Sequence, residues 1–124
     1  KRPGVIMAGT RWNQVAILGD RPKDLAEASI NAAALGNNIL IAAVAGKVIK
    51  VWKLFCVFNA AVNIKWIDGT TDLTGVKNML ANGSITLDLD GDPWFTTSDG
   101  NDFILNLSGA VQSSGRIYYT QDRT

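Results

Sequence analysis

Apolar residues fall at every second position through much of this chain. Val62, Ile64 and Trp66 alternate with Asn63 and Lys65. Ile85, Leu87 and Leu89 alternate with Ser84, Thr86 and Asp88, and Phe103, Leu105 and Leu107 with Asp102, Asn106 and Ser108. A period of two places one set of side chains on each face of a strand, so these segments read as half-buried β-strands. Between and around them stand Asp68-Gly69, Asn82-Gly83, Asp90-Gly91, Asp99-Gly100 and Ser114-Gly115, pairs that accept the positive φ of tight hairpin turns. The run 47–58 is different. Its lysines, Lys47, Lys50 and Lys53, recur every three residues, but Val48, Ile49, Val51, Trp52, Phe55, Val57 and Phe58 favour strands. It is expected to be a long strand apolar on both faces, either central in a sandwich or covered by another subunit. Only residues 23–35 leave room for a helical turn, through Leu25, Ala26, Glu27 and Ala28, and Gly36-Asn37-Asn38 closes it. Short strands with a turn about every ten residues predict an all-β, two-sheet antiparallel β-sandwich.

Residues 1–27 break this rhythm. Their apolar pieces, 5–8 and 15–18, are interrupted by Gly9, Thr10 and charged residues, and the segment holds Pro3 and Pro22. Lys1, Arg2, Arg11, Arg21 and Lys23 outnumber Asp20, Asp24 and Glu27, so it is basic while the rest is slightly acidic. This predicts an extended N-terminal arm over 1–27 and a sandwich domain over 28–124. An irregular, partly apolar arm gains affinity by laying backbone and a few anchors on a surface, as strand addition does. Arg2, Arg11 and Trp12 are its candidate docking contacts. The chain starts at Lys1, a residue before which an initiator methionine is normally kept, so a longer precursor is expected.

Composition removes several chemistries. The 124 residues hold no histidine and one cysteine, which excludes Ser-His-Asp and Cys-His catalysis, histidine-zinc sites and intrachain disulfides within this sequence. Cys56, between Phe55 and Val57, reads as a small buried hydrophobe. A formal net charge of +1 is not that of a polybasic nucleic-acid binder. The unbroken apolar stretch 39–45 is too short to span a bilayer. Neither a nucleic-acid nor a membrane partner is expected.

The acidic stretch gives no catalytic pattern either. Asp88, Asp90, Asp92 and Asp99 imitate the oxygen spacing of a calcium loop, but Pro93 stands where the loop needs glycine and an aspartate occupies the last ligand position. No metal, no cofactor and no enzyme activity are expected, because carboxylates crowded on turns without a cleft supply no tuned acid–base pair. Lys47, Lys50, Lys53 and Lys65 read as surface lysines or as partners for the acidic end of a neighbouring subunit. Trp66 falls on the apolar parity of its strand and belongs to the core. Trp94, after Pro93 at a turn, is the exposed aromatic and the candidate ligand contact. A strand apolar on both parities gains stability against copies of itself, which makes Val48, Val51, Trp52 and Phe55 a candidate subunit interface and the protein a homotrimer.

Several blocks, in order, carry a resemblance. They are Gly36-Asn37-Asn38-Ile39-Leu40-Ile41-Ala42-Ala43-Val44-Ala45-Gly46-Lys47-Val48-Ile49, Asp68-Gly69-Thr70-Thr71-Asp72-Leu73-Thr74-Gly75 and Pro93-Trp94-Phe95-Thr96-Thr97. Leu105-Asn106-Leu107-Ser108-Gly109-Ala110-Val111-Gln112 and Gly115-Arg116-Ile117-Tyr118-Tyr119 follow. Together they resemble a β-sandwich module of tailed-bacteriophage structural proteins, small capsid decoration (cement) or fibre-tip domains of jelly-roll, tumour-necrosis-factor-like form. The resemblance implies a structural protein on the outer capsid surface of a virion, a trimer that binds the major capsid protein and reinforces the shell. The alternative is a carbohydrate-binding adhesin domain of a head or tail fibre, with a host glycan held at Trp94.

Overall fold

A computed structural model describes residues 25–123. It contains ten strands and, among the described residues, no helix: β1 (Ala26–Ala32), β2 (Gly36–Ile41), β3 (Lys47–Phe58), β4 (Val62–Asp68), β5 (Thr71–Asp72), β6 (Lys77–Met79), β7 (Ser84–Leu87), β8 (Phe95–Thr96), β9 (Phe103–Leu107) and β10 (Ser113–Arg123). They form two antiparallel five-stranded sheets. The first runs β1-β10-β3-β7, with β8 also on β3, and the second runs β2-β9-β4-β5, with β6 also on β4. The chain crosses between sheets at each step from β1 to β4, as in a jelly roll. The fold is therefore the expected all-β sandwich.

The alternating segments deliver the core. Val62, Ile64, Trp66, Phe103, Leu105 and Leu107 are buried and meet Ile49, Val51, Leu54, Cys56, Phe58 and Ile117 of the first sheet. Trp66 stacks on Phe103 with ring centroids 5.6 Å apart, and Phe95 tilts against both. Leu89 is the exception to its segment, because β7 ends at Leu87 and Leu89 is exposed. Four of the five turn dipeptides lie in turns or bends, and Gly69, Gly91, Gly100 and Asn82 adopt positive φ there.

Three expectations are corrected. The helical turn is absent from the described part of residues 23–35: β1 pairs with β10 over its whole length, from Ala26↔Tyr119 to Ala32↔Ser113, and buries Ile30 and Ala32. Burial against a distant strand outweighs a weak local preference for helix. Glu27 of the expected arm belongs to this strand and forms an ion pair with Arg116.

Ser114-Gly115 is no turn but the inside of β10. Gly115 lies opposite Cys56, and a Cβ built on it would sit 1.8 Å from the carbonyl oxygen of Phe55. Glycine is needed here for close approach of two backbones.

The third correction concerns β3. Apolar residues do stand on both of its faces, but not in one continuous alternation: the pairing with β10 jumps from Lys53↔Tyr118 to Val51↔Tyr119, leaving Trp52 as the extra residue of a β-bulge. The bulge shifts the phase of the strand, so Ile49 and Val51 before it and Leu54, Cys56 and Phe58 after it all face the same core. Val51 is fully buried within its own chain and is unavailable to a subunit interface.

Candidate binding groove

On the side of the sandwich where β6 and β7 follow one another, the two sheets part and leave a groove of about 250 Å³. The second sheet contributes Trp66 of β4 and Lys77 of β6, with Thr74 from the loop before β6; the first contributes Ile85 and Leu87 of β7 and Trp94 and Phe95 at β8. Ile85 and Leu87 are in the inward phase of their strand, but β7 is an edge, so they cover one wall of an opening.

Trp94 is held at this opening by both ends of its residue. Its backbone N–H donates to Val51 O at 2.8 Å, and its indole Nε1–H donates to Asp88 O at 2.7 Å. With its only donor engaged inside the chain, the 42% exposed indole offers an apolar face. Thr74 is engaged as well: its hydroxyl donates to Gly75 O and accepts Trp66 N–H. Lys77 makes no ion pair among the described residues. The adjoining loop carries Asp88, Asp90 and Asp92, all exposed, as expected of carboxylates at a strand end.

The outward face of the first sheet is the second feature. Phe55 and Val57 are each a little over two-fifths exposed, while Val48 and Trp52 are half-buried. Trp52 Nε1–H donates to Thr120 Oγ1 at 3.0 Å. Lys50 pairs with Asp122 at 3.6 Å, and the Lys53 ammonium lies 5.4 Å from the Tyr118 ring centroid. The lysine repeat of the sequence thus marks the outward phase on either side of the bulge, with Lys47 at the strand start.

Two further groups are structural. Cys56 is buried, and loss of water around it pushes the thiol from an ordinary 9.0 to about 12. Such a thiol is a poor nucleophile at neutral pH. Asp68 is buried at the end of β4; its Oδ2 accepts the backbone N–H and the hydroxyl of Ser98 at 2.9 and 3.0 Å. Among the described residues no three His, Cys, Asp or Glu side chains converge as metal ligands do. The expected docking contacts Arg2, Arg11 and Trp12 lie outside the described residues.

Sequence reasoning singled out Trp94 but missed Thr74, Lys77, Ile85 and Leu87 as its companions. The only local signal was the alternation around Ile85; the groove itself comes from the parting of two sheet edges. No family model, curated protein or solved structure matches the chain.

Proposed function

We propose that the protein is a structural virion component, a capsid decoration protein that binds the outer capsid surface as a homotrimer and stabilises the shell. The observation that carries this reading is the outward face of the first sheet, where Phe55 and Val57 stand exposed, with the half-buried Trp52 and Val48 farther along the same strand. Large apolar side chains exposed on a sheet face suit contact with another protein surface. The resemblance described above supplies the context, and its blocks cover β2 and the start of β3, the β4–β5 turn, β8, the end of β9 and the middle of β10. The basic segment before β1, with Arg2, Arg11 and Trp12, is the arm that contacts the major capsid protein.

The test is addition of the purified full chain to undecorated particles, read by electron microscopy. Trimeric density at fixed positions on the shell is expected; bare particles at saturating protein would overturn the reading. Trp12→Ala should weaken binding by about 2 kcal/mol if this aromatic is a central anchor. Losses on replacing Arg2 or Arg11 should shrink at high salt.

A carbohydrate-binding adhesin is the second reading, favoured by the exposed Trp94 in a concave surface beside Asp88, Asp90 and Asp92. A glycan array probed with the full chain separates the two. Specific glycan binding lost in Trp94→Ala would select the adhesin.

A further inference from the structure

The groove between β6 and β7 has an aromatic lining. Trp66 and Phe95 stand on its core side, with ring centroids 5.9 Å apart and planes tilted by 35°, and Trp94 stands at its mouth. Aromatic faces carry negative charge density and attract cations. The surroundings add to that sign. The Trp94 indole N–H is bonded to the carbonyl oxygen of Asp88, so the 88–92 loop, with three exposed carboxylates and no base, adjoins the same mouth.

Cations come with or without N–H donors, and the groove discriminates between them. The Trp94 N–H is engaged by Asp88 O, and the Thr74 hydroxyl donates to Gly75 O while accepting Trp66 N–H. A primary ammonium, a guanidinium or a pyranose would bring hydrogen-bonding groups against side chains with no free acceptor, and burying unpaired polar groups is costly. A quaternary ammonium has no N–H. Its charge is spread over methyl groups that suit an apolar wall, which is why aromatic cages bind it. The volume, about 250 Å³, equals roughly eight water molecules at ~30 Å³ each and accepts a trimethylammonium group with a short tail.

Lys77 sets a second requirement. It lines the groove from the β6 side, makes no ion pair among the described residues and would repel a simple cation. An anionic group at the other end of the ligand turns that repulsion into attraction, and lysine binds phosphate as a point charge. We propose that the groove binds a small zwitterion, a quaternary ammonium joined by a short chain to a phosphate. The ammonium lies against Trp94 beside the acidic loop, and the phosphate meets Lys77. Phosphocholine is the simplest such molecule. The proposal holds whether or not the chain decorates a capsid, and it gives the groove an occupant other than the plain sugar of the adhesin reading.

The experiment is isothermal titration of the full chain with phosphocholine at millimolar concentration. Choline, inorganic phosphate and the carbon isostere of phosphocholine, in which a tert-butyl group replaces trimethylammonium, are titrated beside it. Phosphocholine is expected to bind and its isostere to bind roughly tenfold more weakly, because shape is kept and only the positive charge is lost. Trp94→Ala should abolish binding, and Trp94→Phe should keep part of it. Lys77→Gln should weaken phosphocholine but strengthen choline, an opposite response that misfolding does not produce. Replacing Asp88, Asp90 and Asp92 together by Asn should weaken both ligands, and a thermal melt of each variant checks its fold. Competition by phosphatidylcholine vesicles would identify a lipid headgroup as a source of the ligand; binding of phosphocholine without that competition would identify the free zwitterion, and both support the site. Absence of phosphocholine binding, equal affinity for the carbon isostere, or wild-type affinity in Trp94→Ala overturns the proposal. A monosaccharide bound at Trp94 while phosphocholine is inert also overturns it and leaves the adhesin reading standing.

Discussion

Gly115 carries more of the fold than its size suggests. A methyl group there would overlap the Phe55 carbonyl oxygen at 1.8 Å, and that atom is backbone inside the central strand. Relief requires moving β3 or β10, the two longest-paired strands of the first sheet. Gly115→Ala should therefore destabilise by roughly 3–5 kcal/mol, far beyond an ordinary surface change; chemical denaturation measures it, and a midpoint near wild type would contradict it.

Cys56 gives a second prediction at this scale. Because burial raises its thiol from 9.0 to about 12, the folded state keeps a proton that the unfolded chain releases. Its contribution to stability is full below pH 9 and is lost as pH rises from there towards 12. The difference in melting temperature between wild type and Cys56→Ala should shift against wild type across that window, and thiol reagents should label Cys56 only on unfolding.

At the scale of elements, the phase change in β3 and the turn before β7 decide how the first sheet is built. The bulge at Trp52 bends the strand so that its two halves share one core. The β6–β7 turn relies on Asn82, at φ 62°, whose N–H donates to Phe58 O while Gly83 N–H donates to Leu80 O. Asparagine tolerates this left-handed conformation and β-branched residues do not. Asn82→Val should cost about 1–2 kcal/mol, and Asn82→Gly should be close to neutral; thermal melts of the pair check both. Loss of equal size in the two variants would point to the side chain instead of the backbone.

For the whole molecule, the division between inward and outward surfaces matters most. Phe55 and Val57 contribute little to the fold because their side chains point away from the core. Replacing both by Glu should leave the melting temperature nearly unchanged, with each exposed site worth within about 0.5 kcal/mol. The same variant should sediment as a monomer if this face joins copies of the chain. A wild-type protein that is itself monomeric at micromolar concentration would remove the trimer from the proposed function, without touching the sandwich.

The inward set of β4 and β9 and four of the five turn or bend positions were legible because they are local. Alternation of Val62, Ile64 and Trp66, or Asp68 followed by Gly69, states its own conformation within a few residues. Even the exposure of Trp94 followed from a neighbouring proline.

What escaped was set by distant partners. β1 forms because β10, some ninety positions away, offers a free edge to Ala26–Ala32. The phase of β3 depends on a bulge that exists only in its pairing with β10, so periodicity alone did not separate its inward apolar residues from its outward ones. Gly115 looked like a turn residue because the carbonyl that excludes a side chain belongs to another strand. The groove joins residues from both sheets, and no stretch of sequence contains it. Sequence by itself determined which residues alternate and where the chain reverses; tertiary structure decided which edges meet, because pairing is a property of two segments at once.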